Sequence, residues 1–404
     1  MQNNNSTLHT SHFTLRTLDS VRDVSGKFVL LRDDFNVQII DGKITDAFRI
    51  EQSMPTLRRL AAAGARIAIV AHLGRPDGVV NPKYTLAPVA DYLKIPLISD
   101  CLDKSFLPTM QDGDVVLLEN VRFYAGEEEN DSEFAQRLAA GFDYFVNDAF
   151  GVSHRAHAST VGVTKFLPSF AGELLSAEIA ALSHLLENPK RPLLGLISGA
   201  KIKSKIGVIK ALGKLCDKII CAGGIGTSIL AAQGLKNLDM DADNLEKYDA
   251  ATNAEISEIM KEYGDKIILP VEKGVGPVFE KTALRTDKMI SDILPGDVIM
   301  DEGPASIAEY ERAIDSAKTI VWNGTVGLAE WQPTWSVGTF ALARYIAQRT
   351  KSGELESIIG GGDTVTALEE TNTKKDMTYV STGGGAFLEF IEGRDLPGIK
   401  ALEK

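Results

Sequence analysis

The sequence predicts two doubly wound α/β domains, each built on a parallel, Rossmann-like sheet, and three observations carry that expectation. The chain has 404 residues, beyond the size at which one hydrophobic core keeps growing, so two domains of roughly 200 residues are expected. Short runs of Val, Ile, Leu and Phe alternate with segments of helical periodicity, the pattern of βαβ units. Most of these runs lead straight into polar or glycine-rich residues, as strands do when their carboxyl ends form a ligand crevice.

The runs lie at 28–31, 67–71, 115–118, 144–146, 193–197, 218–221, 267–271, 298–300 and 319–322. They are continuous rather than alternating, as in strands buried on both faces, and all are assigned to parallel sheets. Helical periodicity fills segments such as 50–63 and 133–140. The Ala- and Leu-rich segment from Glu173 ends in Glu187-Asn188-Pro189-Lys190-Arg191-Pro192 before a new strand begins. It lacks the Gly and Ser of a flexible linker and reads as an interdomain helix. No internal repeat is visible.

Composition excludes several classes. Hydrophobic residues at 44% and charged residues at 24% are those of an ordinary globular chain. A net charge of −12 argues against a nucleic-acid partner, which would demand clustered Lys and Arg against phosphates. Cys101, Cys216 and Cys221 are too few for a disulfide framework, so buried thiols in a reducing compartment are expected. Residues 1–12 show no export signal, and no apolar stretch approaches the ~18 residues that cross a bilayer. A cytoplasmic protein without a membrane partner follows.

In the first half, basic residues stand at strand ends: Arg32 beside Asp34 and Asn36, then Arg49, His72 with Arg75, Arg122, and His154, Arg155 and His157. Any one of these arginines alone reads as a solvated ion pair. Together they suit a ligand with both a phosphate and a carboxylate, since each guanidinium fork binds such groups bidentately. The histidines come without a metal or nucleophile motif and read as ligand contacts or satisfied loop residues.

The second half carries glycine-rich turns at 222–224, 360–364 and 381–386. In the last two a strand precedes and a helix follows, so backbone N–H groups and a helix N-terminus would face an anion. No Walker motif is present, which points to a nucleotide kinase outside the P-loop class. Asp363 inside such a cradle would repel phosphate unless Mg²⁺ intervenes; alternatively it caps a helix starting at Val365. Lys201 and Lys205 share a helix face if that helix has begun, where like charges repel by roughly 0.2–0.5 kcal/mol. An anion between them would offset this; an exposed basic face is the alternative.

Taken together, these residues resemble phosphoglycerate kinase from about Val21 to Leu402. The matching runs are Arg32-Asp33-Asp34-Phe35-Asn36, His72-Leu73-Gly74-Arg75-Pro76, Glu119-Asn120-Val121-Arg122-Phe123, Asn147-Asp148-Ala149-Phe150-Gly151 with His154, Arg155 and His157, Val321-Trp322-Asn323-Gly324, and the turns at 360–364 and 381–386. The resemblance implies reversible phosphoryl transfer between 1,3-bisphosphoglycerate and ADP, giving 3-phosphoglycerate and ATP, with Mg²⁺, in a monomer. It implies that Asp34, Asn36, Arg49, His72, Arg75, Arg122 and Arg155 bind the three-carbon acid. It assigns Lys201, Lys205, Asn323, Glu330, Gly361, Gly362, Asp363 and Thr364 to the nucleotide, with Glu330 on the ribose and Asp363 toward the metal. Arg49, Lys205, Gly362 and Gly385 are the implied catalytic set. The acid-binding domain would span 1–185 with 390–404 folding back onto it, and the nucleotide domain 186–389. A hinge helix at 173–187 would let them close. Ser198, Ser204, Ile299 and Thr325 depart from the commonest family pattern, and Ala222 opens an altered glycine turn, all on the nucleotide side. The rivals are a nicotinamide dehydrogenase, which would want G-x-G-x-x-G after the first strand, and a silent relative that only binds nucleotide or a partner.

Overall fold

The computed structural model describes residues 7–9, 14–21, 23–235 and 250–403; most of the start read for an export signal lies outside them. The chain divides into two compact units, Met1–Glu187 with Arg394–Lys404, and Asn188–Gly393. No helix among the described residues is long and apolar enough to cross a membrane.

The first unit is organised by a six-stranded sheet in the order Ser169–Ala171, Tyr144–Asn147, Phe28–Arg32, Arg66–Val70, Val115–Leu118, Leu97–Ile98. Every pairing in it is parallel. Val29, Leu30 and Leu31 are fully buried, because a parallel sheet is covered on both faces. The helix Phe48–Ala62 buries Ile50, Ser53, Leu57 and Leu60, a spacing of three and four that turns one face to the sheet. The helix Glu173–Glu187 is anchored at its start by side chains from elsewhere. Thr56 Oγ1 accepts from the Glu173 N–H at 2.8 Å, and Asp148 Oδ1 accepts from the Leu175 N–H at 3.0 Å, satisfying donors that a helix start leaves open. The C-terminal residues join this unit: Gly398 N–H donates to Ser153 O at 2.8 Å, and Glu403 bridges to Leu15.

The second unit carries a six-stranded sheet in the order Ile267–Ile268, Lys218–Cys221, Leu193–Ile197, Thr319–Asn323, Glu356–Gly360, Tyr379–Val380, again all parallel. Numbered along the chain this is 3-2-1-4-5-6, the Rossmann order. All five residues of Leu193–Ile197 are buried.

One expectation is corrected here. The run at 298–300 does not join the parallel sheet; it belongs to Val298–Glu302, the edge of a three-stranded sheet with Glu272–Gly276 in the centre and Thr286–Met289 beyond. Both pairings are antiparallel. The run at 267–271 shortens to Ile267–Ile268, since Pro270 cannot donate to a ladder. Cys101, Cys216 and Cys221 are buried free thiols, each pushed up to about 12 by burial.

Candidate active site

In each six-stranded sheet the strand order reverses beside the first strand, and in open α/β sheets a ligand crevice opens at the carboxyl ends of such strands. In the first unit that point is Arg32 and Asn147, at the ends of neighbouring strands. Arg32 is fully buried, yet satisfied: Nε donates to Ser159 Oγ at 2.8 Å, Nη1 donates to Asp33 O, and Nη2 lies 3.4 Å from His72 Nδ1. Burial, then the charges of Arg32, Arg122 and Arg49, push the His72 pKa well down, so its imidazole is neutral. The positive charge of the site therefore rests on arginines.

Asp34 orients part of this set. Its Oδ2 accepts from Arg49 Nη1 at 3.0 Å and its Oδ1 from the Asn36 N–H at 3.2 Å. Arg49 also donates to Asn36 O at 3.2 Å. Asn36 Oδ1 accepts from the Gly74 N–H at 2.8 Å, while Gly74 O accepts from Arg122 Nη1 at 2.8 Å. Arg122, buried and paired to Glu128 at 3.1 Å, is held low by burial despite Glu128, with the charges of Arg32 and Arg155 adding to the effect. Cations that lower one another's pKa while pinned in place are relieved by an anion. The structure thus joins Asp34, Asn36, Arg49 and Arg122 in one bonded set through Gly74, with His72 Nδ1 3.8 Å from Asp34 Oδ1 and Arg155 half-buried close by; Arg75 stands exposed on the loop.

Glu127 escaped the sequence reading because Gly126-Glu127-Glu128-Glu129 looks like a solvated acidic face. It is fully buried. Its Oε1 accepts from Ser159 Oγ at 2.6 Å and its Oε2 from the Ser159 N–H at 2.8 Å, with His157 Nδ1 at 3.6 Å from Oε1. Burial opposes its charge, but the bond to His157, the nearby Arg32 and the Ser159 hydroxyl outweigh it and keep the pKa low. A permanent buried carboxylate thus backs Arg32.

In the second unit a cavity of about 500 Å³ opens at the matching place, lined by residues after Leu193–Ile197 and Thr319–Asn323. Helices starting at Gly223 and at Gly362 begin in its wall, and Gly384 and Gly385 open a shorter third. The dipoles of these helices favour negative charge at their starts, although the Gly223 N–H is already taken by Glu302 Oε1 at 2.7 Å. Gly361 is required as glycine: its φ is +103°, and an added Cβ would lie 2.9 Å from Asn323 Nδ2. Lys205 Nζ donates to Asn323 Oδ1 at 2.6 Å, Asn323 Nδ2 donates to Gly360 O at 2.8 Å, and the Gly324 N–H donates to Thr364 Oγ1 at 2.8 Å. Burial brings Lys205 down to about 8, against the pull of Asp363 and Glu392. Glu330 is exposed and lies along the same lining.

Two alternatives raised by the sequence are settled by these bounds. The helix after the glycine turn is Gly362–Glu370 with Gly361 at its N-cap, so Asp363 lies in the first turn and does not cap a helix from Val365. Lys201 does not share a helix face with Lys205: the α-helix begins only at Ile206, and Lys201 is exposed, outside the cavity lining. Ile299 is buried, packs in a cluster with Leu230, Val275 and Ile293, and forms an apolar part of the wall.

Compared with known proteins, the chain matches the family model for phosphoglycerate kinase over residues 18–394. The chain belongs to the phosphoglycerate kinase family. The phosphoglycerate kinase of Methylorubrum extorquens is 44% identical over 397 residues, covering 96% of this chain and 98% of the relative. Among solved structures, phosphoglycerate kinase from Coxiella burnetii aligns with a TM-score of 0.80 at 38% identity, and that from Pyrococcus horikoshii with 0.84 at 28%. Each alignment covers 96% of this chain and 98% of the other. With the family shown, the dehydrogenase rival falls away.

Proposed function

We propose that this chain is a phosphoglycerate kinase, transferring a phosphoryl group between 1,3-bisphosphoglycerate and ADP to give 3-phosphoglycerate and ATP. The observation that carries this reading is the pair of unlike anion sites, one at each switch point. In the first unit Arg49, Arg122 and Arg155, with His72, Asp34, Asn36 and Arg75, take the phosphate and carboxylate of the acid through guanidinium forks. In the second unit Asn323, Thr364, Gly361, Gly362 and Asp363 hold the nucleotide phosphates, Glu330 the ribose, and Lys201 approaches only once ligand is bound.

Transfer of this kind asks little covalent chemistry of a protein; it asks for position and for charge where charge develops. Lys205 and the N–H groups at Gly362 and Gly385 supply the charge on the nucleotide side, and Arg49 on the acid side. The ligand sets lie in different units, and transfer needs both ligands in line with water kept from the acyl phosphate.

Asp363, an exposed carboxylate in the first turn of a helix that begins in the cavity wall, fits a magnesium ion, which takes one or two carboxylates together with substrate phosphates. Asp363 would hold the ion, which would supply positive charge against the nucleotide phosphates. We read the protein as a cytoplasmic monomer with small-molecule ligands and no nucleic-acid partner, in keeping with its acidic net charge. A coupled assay of ATP formation from 1,3-bisphosphoglycerate and ADP tests the activity. Tight MgADP binding with no turnover would leave a silent binding protein instead.

A further inference from the structure

Lys273, which lines the nucleotide cavity, forms an ion pair with Glu302 that the proposed chemistry does not use. Lys273 and Glu302 are both fully buried, and Lys273 Nζ donates to Glu302 Oε1 at 2.7 Å. They are direct cross-strand partners on Glu272–Gly276 and Val298–Glu302, so the pairing is built into the register of the three-stranded sheet. Two buried charges are costly, and an apolar pair of similar volume is often as stable or more so. Stability alone therefore gives little reason for this pair to be ionic.

What the pair holds is the glycine turn in the cavity wall. Glu302 Oε1 also accepts from the Gly223 N–H at 2.7 Å, and Lys273 Nζ also donates to Gly223 O at 3.2 Å. Both polar groups of one backbone residue are gripped by the two partners, although Gly223 O additionally accepts from Thr227 Oγ1 at 2.9 Å. Gly223 has φ +57°, and a Cβ there would meet Ser198 Oγ at 2.5 Å; one on Gly224 would meet the Ala200 backbone at 2.9 Å. The turn is thus pressed against the loop that follows Leu193–Ile197, and Ser198, Gly199, Ala200, Gly223 and Gly224 all line the cavity. Ile299, Met300 and Asp301, which precede Glu302 on its strand, line it too.

We propose that Lys273 and Glu302 act as a positioning pair for nucleotide binding, holding the Gly223–Gly224 turn at the distance that the nucleotide requires. The pair must carry no net charge, while offering one donor and one acceptor, because of where it sits. A lone carboxylate under an anion site would repel the ligand, and a lone ammonium could not accept the Gly223 N–H; each partner corrects the other. This rests on the reading of the cavity as the nucleotide site.

The test is calorimetric titration of MgADP and, separately, of 3-phosphoglycerate into the full-length protein and two double variants. Lys273→Met with Glu302→Met removes both grips while keeping the volume apolar, so Tm should hold or rise. Its Kd for MgADP should rise about tenfold with the Kd for 3-phosphoglycerate unchanged. Lys273→Gln with Glu302→Gln, which keeps a donor and an acceptor without charge, should recover most of the lost affinity. An unchanged MgADP Kd in the folded Met variant would overturn the proposal while leaving the cavity reading intact; failure of the unsubstituted protein to bind MgADP would overturn both. Amide exchange of the unsubstituted protein needs no variant: the Gly223 N–H should exchange as slowly as those of the central strands, and fast exchange would count against the grip.

Discussion

The two units solve the same problem, holding a multiply charged anion, with different materials. The first uses side chains. Arg32, Arg49 and Arg122 are fixed by Ser159, Asp34, Asn36 and the Gly74 carbonyl, with Glu127 buried behind them. The second uses backbone: glycine turns open two helices of nine or ten residues into one cavity, with Lys205 bonded to Asn323 within it. A small acid offers few atoms, so each must meet a directed fork. A nucleotide offers a chain of phosphates and an apolar base, which repeated N–H donors and a wall such as Ile299 can follow.

If that division is right, substitutions should separate by unit and by ligand. The largest effect is expected at Lys205, whose charge is needed where the transferring phosphoryl develops its own. Lys205→Ala should lower kcat by about 10²–10³, the usual cost of removing one such donor, with a much smaller change in nucleotide binding. Weakened binding at an unchanged kcat would make Lys205 an ordinary ligand contact. Asp363→Ala should weaken MgADP binding roughly tenfold or more while sparing metal-free ADP; equal weakening of the two forms would remove the metal from the account.

Glu127→Gln sharpens the comparison from the first unit. It removes the countercharge behind Arg32 without touching ligand, and should raise KM for 3-phosphoglycerate roughly three- to tenfold, the worth of one hydrogen bond, with the nucleotide KM unmoved. If both KM values rise together, Glu127 supports the fold rather than the site.

How much of this was legible in the sequence depended on whether a residue's neighbours disclosed its surroundings. Runs such as 193–197 announce buried strands because every position is apolar. The strands Glu272–Gly276 and Thr286–Met289 do not: one carries Glu, Lys and two glycines, the other Thr, Asp and Lys, and only their partners make them a sheet. Glu127, Lys273 and Glu302 read as surface charges for the same reason; each is buried by chain remote in sequence. The glycine turns were visible because glycine marks unusual backbone. The start of the helix after Lys205 was not, because Lys201 to Lys205 carries no capping residue bonded to it.

The smallest predicted effect concerns stability. Asp33 and Asp148 are both fully buried, and neither Asp33 oxygen has a hydrogen-bond partner. Burial and the neighbouring Asp148 charge push Asp33 well up, and burial brings Asp148 to about 7. Folded-state values above the unfolded ones mean that the native protein binds more protons, so this pair's contribution is present in acid and is lost as pH rises toward and through 7. Asp33→Asn should therefore raise Tm more at pH 8 than at pH 5. An equal change at both would show that Asp33 is not held protonated in the folded protein.

The division of labour itself is tested most directly by titrating Arg122→Ala with each ligand in turn. Calorimetry should show 3-phosphoglycerate affinity reduced by roughly tenfold or more while MgADP binds as to the unsubstituted protein. Loss of MgADP affinity, or 3-phosphoglycerate binding that survives intact, would contradict the assignment of acid to the first unit and nucleotide to the second.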